Sequence, residues 1–272
     1  MSFRALIRTA LKRAPVSFRK DVVRAGLAVA EGLPGYYPYP NLKNTLLMLK
    51  RKGYSPKLAI DVGAFEGEWT TLWKELFPAC EIVMIEPLKS KHEALGKLCS
   101  DHGQSVTLVT SVAAATDGAA VTFHEMEQGS SVYREQGARA AQRAEHETVT
   151  IDTIMKSSGA AGRLDMLKLD TQGYELEVLR GTARTLPETT FVLAEVSLIP
   201  INEGCPLINE FLDFMAARGF RVFDVCGQWR RPDHVLWQLD LLFVNVNSHF
   251  LPEPRLDGNA FSDWTFSNGE GE

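Results

Sequence analysis

Residues 60–69 read Ile60-Asp-Val-Gly-Ala-Phe-Glu-Gly-Glu-Trp69, and this stretch decides the fold. The run Leu58–Val62 leading into it is short and almost wholly apolar, as expected of a strand buried on both faces. Residues 66–77 follow with helical spacing, so the stretch is a strand-to-helix turn carrying two glycines. Gly63 lets the backbone turn tightly, and Gly67 lets the helix or a ligand approach closely. In an open α/β sheet, ligands bind outside the carboxyl ends of the strands, where strand order reverses. The spacing is G-x-x-x-G, not the G-x-G-x-x-G of dinucleotide binders, and Asp61 ahead of it would repel a pyrophosphate.

The pattern continues as strand, helix, strand. Residues 82–85 are a second short apolar run, and 106–109, 164–169 and 191–196 read as further main strands, with helices expected at 41–53, 88–102, 173–186 and 207–218, the last closed by Gly219. Residues 121–123 and 149–151 read as added, exposed strands. The segments 220–225 and 239–246 complete the sheet through a short connection, which favours antiparallel pairing of the last two strands. This alternation predicts a mostly parallel, doubly wound α/β sheet.

Glu86 closes the second strand in Met84-Ile-Glu-Pro87. An acid there can accept hydrogen bonds from both ribose hydroxyls, and Pro87 fixes the exit of the chain. Asp61 suits the ammonium of a methionine moiety. Together with the turn formed by Gly63, Ala64 and Gly67, these acids point to S-adenosylmethionine (SAM) as cofactor. Each acid also has a structural reading: Asp61 as a helix cap, Glu86 as a solvated strand end.

Composition narrows the class. The 272 residues are 45% hydrophobic and 23% charged, enough for one large domain and its core. The four cysteines, Cys80, Cys99, Cys205 and Cys226, form no zinc-type pair and fit a reducing, cytoplasmic setting. Residues 1–24 carry seven basic side chains and one acid, a formal +6 that leaves −11 for the rest of the chain. The acidic body argues against nucleic acid as partner. Phe3, Leu6, Ile7, Ala10 and Leu11 oppose Arg4, Arg8 and Lys12 at helical spacing. Such a basic amphipathic helix either packs on the domain or docks peripherally on the inner face of an anionic membrane. The expected organisation is a basic extension over 1–40, a catalytic domain over 41–250 and a polar tail over 251–272.

Across 58–246 the chain resembles the FkbM family of SAM-dependent methyltransferases. The resemblance rests on the glycine turn, Glu86-Pro87, Val112-Ala-Ala-Ala-Thr-Asp-Gly118, the Ser130-Ser131 pair, Thr150-Ile-Asp-Thr-Ile, Leu164-Asp-Met-Leu-Lys-Leu-Asp-Thr-Gln-Gly-Tyr-Glu-Leu-Glu-Val-Leu-Arg-Gly181 and Ala194-Glu-Val-Ser197. It implies a seven-stranded, Rossmann-like class I methyltransferase sheet and methyl transfer, usually to oxygen. The implied acceptors are sugar hydroxyls of polysaccharides and glycoconjugates, or hydroxyls of polyketide-like metabolites. Ala113 is placed among the cofactor-binding residues. The family often reads Asp-Val-Glu-Gly where this chain has Asp170-Thr-Gln-Gly173, so Gln172 replaces an acid whose role cannot be carried over.

Methyl transfer from a sulfonium is an in-line displacement that needs a positioned hydroxyl and a proton acceptor. Asp170, at the end of the fourth main strand, and Glu195, in the fifth, are the candidate catalytic acids. The pair could also hold Mg²⁺, but no dense ligand cluster favours it. Asp170 could equally cap the next helix, and Glu195 could be a structural acid. His92 and His102 are expected on a surface; His124, His146 and His234 are expected in loops or at the inserted region 119–148. Ser130 and Ser131 suit turn hydrogen bonds, and the loop Leu198–Cys205 suits a wall of the acceptor site. The expected function is O-methylation of a sugar or glycoconjugate hydroxyl, as in polysaccharide biosynthesis. The rivals are methylation of a small secondary metabolite, an idle SAM-binding protein and, more weakly, a nicotinamide-dependent oxidoreductase.

Overall fold

The computed structural model describes residues 41–126, 129–134, 142–157 and 163–251. The basic extension, the expected boundary at 40 and the tail from 252 lie outside these residues. The chain divides into two units between Gly53 and Tyr54. In the first, helix α1 (Leu42–Arg51) starts where Asn41 Oδ1 accepts from Asn44 N at 3.2 Å.

The second unit holds a seven-stranded sheet: β1 (Leu58–Val62), β2 (Glu81–Ile85), β3 (Val106–Val109), β7 (Met166–Leu169), β8 (Phe191–Ser197), β9 (Phe220–Arg230) and β10 (Leu236–Asn245), in the order β3-β2-β1-β7-β8-β10-β9. All neighbours are parallel except β10, which is antiparallel to β8 and β9. The chain winds outward from β1 to β3, then returns to β7 on the other side of β1. The order therefore reverses between β1 and β7, where Gly63 and Asp170 lie.

Helices α2 (Glu68–Leu76), α3 (His92–His102), α4 (Ile151–Ser157), α5 (Glu175–Arg180) and α6 (Ile208–Ala216) connect the strands. The main core gathers Ile60, Leu167, Val192, Phe211 and Phe243 around the central strands. A second aromatic group sits at the base of the sheet, where Trp73, Phe77 and Phe191 stand edge-on to Tyr54 at 5.2–6.3 Å. The Tyr54 hydroxyl donates to Asp165 O at 2.8 Å, which satisfies the polar end of a buried ring.

Three elements differ from expectation. The exposed strand expected at 149–151 is instead β6 (Gln142–Val149), which pairs with β4 (Val112–Ala113) and β5 (Ala120–Glu125) in a small side sheet. Ile151 starts α4, because Asp117 accepts from Thr150 N at 2.7 Å and from Thr153 Oγ1 at 2.8 Å, fixing the first turn. The helix expected over 173–186 covers only Glu175–Arg180. Asp152 draws the main-chain N–H groups of Arg184 and Thr185 toward α4, at 2.9 Å each, and a 3₁₀ turn follows at Leu186–Glu188.

Candidate active site

The glycine turn is shaped by what lies against it. Gly63 has φ +73°, and a Cβ there would stand 1.9 Å from Asp170 O. A side chain at 63 would force β1 and β7 apart. Gly63 and Ala64 both donate to Ile85 O, at 2.9 and 3.2 Å. Gly67 has φ +79°, and its Cβ would meet Leu98 Cδ2 at 2.8 Å, so the close approach it permits is to α3.

Glu86 is buried and closes the same turn. Its Oε2 accepts from Phe65 N and its Oε1 from Leu88 N, both at 2.8 Å. Burial pushes this carboxyl up, and the two N–H groups pull it back only in part. Pro87 and Ala64 are buried beside it, and Ala113 is packed into the main core. His92, expected on a surface, has Nε2 2.9 Å from Glu86 O.

Asp61 has no exposed surface. Thr70 Oγ1 donates to Oδ2 at 2.8 Å, and Lys168 Nζ sits 3.0 Å from Oδ1. The direct contact with an amino group expected of Asp61 finds no exposed oxygen in this arrangement. Lys168 is itself buried; its Nζ donates to Gly63 O at 2.7 Å and lies 3.7 Å from Asp170 Oδ2. Burial works against this ammonium, but Asp61, Asp170 and Glu195 outweigh it and raise its pKa. One lysine thus ties the glycine turn to both acids.

Asp170 and Glu195 come together at the strand ends. Gln172 Nε2 donates to Asp170 Oδ1 and to Glu195 Oε1, 3.0 Å each, and Gln238 Nε2 adds a bond to Glu195 Oε1 at 2.5 Å. Asp170 keeps 41% of its side chain exposed. Glu195 is pushed well up, first by burial and then by Asp170, Glu175 and Asp240. Asp240 lies directly opposite Glu195 on β10. It is pushed up from 3.8 to about 6, first by burial and then by Asp170.

The loop after β7 is held from several directions. Glu175 Oε1 accepts from Thr171 N at 2.8 Å and Gly173 N at 3.1 Å. Ser131 Oγ donates to Thr171 O and Gln172 O, at 3.1 and 3.0 Å, and Asn202 Nδ2 donates to Gln172 O. Ser130 Oγ accepts from Met126 N at 2.8 Å. Ser131 Oγ also accepts from Tyr133 N at 3.1 Å, so both serines make a turn bond while Ser131 in addition holds the distant loop after β7; Leu198–Cys205 reaches the site through Asn202. His234 is exposed in the β9–β10 turn, and His124 pairs with Ser131 in a β-bridge. Among the described residues no group of three acids, histidines or cysteines is placed to hold a metal ion.

Sequence reasoning missed Lys168, Gln172 as a bridge, and Asp240. A signal existed for the first: a lysine inside an apolar parallel strand must find a partner when buried. Asp240 breaks the apolar run of β10 in the same way.

No curated protein matches the sequence. Solved structures resemble it distantly. A Klebsiella pneumoniae protein described as an O-methyltransferase shares 14% identity, covering 79% of this chain and 84% of its own, at TM-score 0.45. A Pyrococcus horikoshii protein described as an RNA methyltransferase shares 13%, covering 92% and 99%, at 0.44. The Burkholderia thailandensis 1,6-didemethyltoxoflavin-N1-methyltransferase, solved with S-adenosylhomocysteine, shares 14%, covering 86% and 92%, at 0.43. The profile of the methyltransferase FkbM domain matches residues 61–222, from the glycine turn into β9. With that match spanning most of the sheet and both groups of acids, the chain belongs to the FkbM methyltransferase family.

Proposed function

We propose that this chain transfers the methyl group of SAM to a hydroxyl oxygen of a sugar or glycoconjugate. The observation that carries the reading is Asp170: a carboxylate 41% exposed at the switch point of the sheet, beside the glycine turn, while Asp61, Glu86 and Glu175 are buried. Bound SAM supplies an electrophilic methyl carbon on its sulfonium. Glu86 fits the ribose of such a cofactor, because each of its oxygens accepts one N–H and keeps a further lone pair. Asp61, held by Lys168 and Thr70, sets the turn. Asp170 accepts the hydrogen bond of the acceptor hydroxyl, orients its oxygen and takes its proton. Glu195 is less open to an acceptor, because its Oε1 already accepts from Gln172 Nε2 and Gln238 Nε2.

Calorimetric titration with SAM, with NAD as control, tests the cofactor. Glu86→Ala and Asp61→Ala should weaken SAM binding, the first by about tenfold or more, as for hydrogen bonds to a charged group. Asp170→Ala should spare SAM binding and lower turnover by about 10²–10⁴-fold. Unchanged SAM affinity in the first two variants would refute the cofactor site. Turnover on polyketide-like hydroxyls but not on glycosides would refute the acceptor class. Residues 1–24, outside the described residues, are proposed to dock peripherally on a membrane, which would bring the site to lipid-linked acceptors.

A further inference from the structure

Gln172 stands between the two candidate catalytic acids. An amide nitrogen has two hydrogens, and both are used here: one on Asp170 Oδ1, one on Glu195 Oε1, each at 3.0 Å. The opposite amide orientation would press a carbonyl oxygen against two carboxyl groups, so the donor face is fixed by its surroundings.

The backbone is fixed as firmly. Gln172 has φ +55°, a left-handed conformation that a non-glycine residue keeps only when its surroundings impose it. Ser131 and Asn202 both donate to its carbonyl, from the side-sheet arm and from the loop after β8. Glu175 holds the N–H groups on either side, and Gly173 is packed so tightly that a Cβ would lie 2.6 Å from Cys205 Cβ.

The charge around it calls for a bridge. Glu195 on β8 and Asp240 on β10 are register partners, and Asp170 follows the end of β7, bridged to Glu195 by Gln172. The nearby cation, Lys168, is 3.0 Å from Asp61 and 3.7 Å from Asp170, and serves the glycine turn. Carboxyl groups held this close need a hydrogen-bond donor or a cation between them.

We propose that Gln172 is a positioning residue that takes the place of a divalent cation between Asp170 and Glu195. It aligns the two acids without metal, and it makes methyl transfer by this chain independent of Mg²⁺. The inference rests on the proposed function for the role of Asp170, but its test does not use turnover. The geometry predicts what an acid at 172 would do. An oxygen in the place of Nε2 would lie 3.0 Å from an oxygen of each neighbour. That is about the edge of an octahedron with metal–oxygen bonds of ~2.1 Å. Gln172→Glu would therefore turn the bridge into a metal site.

The test is titration of the full chain, without SAM, by Mn²⁺ and by Mg²⁺, following free Mn²⁺ by electron paramagnetic resonance and Mg²⁺ by calorimetry. The unaltered protein should show no saturable site. Gln172→Glu should gain one site per chain with Kd on the order of 0.1–1 mM, within the range of weak carboxylate sites. Gln172→Ala, which releases both acids without adding a third, should bind at least about tenfold more weakly than Gln172→Glu and more tightly than the unaltered protein; it serves if the glutamate variant does not fold. Saturable binding by the unaltered protein that Asp170→Asn abolishes would overturn the proposal. So would a folded Gln172→Glu that binds no metal, or a Gln172→Ala that binds none where the glutamate variant cannot be studied. A separate SAM titration of the unaltered protein keeps the two readings apart: loss of SAM binding there removes the enzyme reading and leaves the metal result standing.

Discussion

Lys168 joins the glycine turn, Asp61 and Asp170 through one buried ammonium. Asp61 has no exposure, so removing its partner strands a charge in the core. Lys168→Met should cost about 3–5 kcal/mol of stability, the usual loss when one member of a buried pair is removed. The double variant Asp61→Asn with Lys168→Met should lose less than the two singles together, which denaturant melts of all four proteins would measure. Asp240 makes the opposite prediction with pH. Its folded carboxyl is raised from 3.8 to about 6, so the folded chain holds this proton where the unfolded chain has released it. The stabilising contribution is present below pH ~4, falls as pH rises and is gone above about 6. Relative to Asp240→Asn, the unaltered protein should lose about 3 kcal/mol across that window; a constant difference in melting would show that Asp240 is not strained. Asp61, Glu86, Asp170 and Glu195 are legible in the sequence because they end or interrupt apolar strands. Their partners are not, because a contact such as Lys168 with Gly63 joins residues 105 positions apart.

Among elements, the strands buried on both faces are the most legible. Leu58–Val62, all five residues of it buried, has the same ends in sequence and structure, since an apolar run bounded by polar residues marks its own limits. β6 is obscure for the converse reason: Gln142-Arg-Ala-Glu-His-Glu-Thr-Val149 is polar and largely exposed, and pairing with β4 and β5 makes it a strand. The turn after β1 shows how an element constrains a residue. Gly103, with φ +58°, ψ −142° and nothing within 4 Å, should take alanine at the cost of its backbone alone, about 1–3 kcal/mol. Gly63→Ala adds a collision with the main chain of Asp170 and should cost at least about 3 kcal/mol, with loss of SAM binding. Equal melting of the two variants would mean that β1 and β7 part without strain.

At the scale of the whole molecule, charge is divided along the chain. Residues 1–24 carry a formal +6 and the remainder −11. No described helix is long and apolar enough to cross a membrane. Basic residues near an anionic surface contribute about 1 kcal/mol each and are screened within a Debye length, ~10 Å at 0.1 M salt. The acidic remainder is repelled by the same surface, so the attraction in the proposed docking would come from residues 1–24. The full chain should therefore sediment with vesicles containing phosphatidylserine, and much less with neutral ones. Raising salt from about 0.1 to 0.5 M should release most of it, because the attraction is electrostatic. A chain lacking residues 1–24 should stay in solution with both vesicle types and keep its SAM affinity. Retention of vesicle binding by the shortened chain would place the contact elsewhere, and loss of SAM binding would mean that the extension supports the fold.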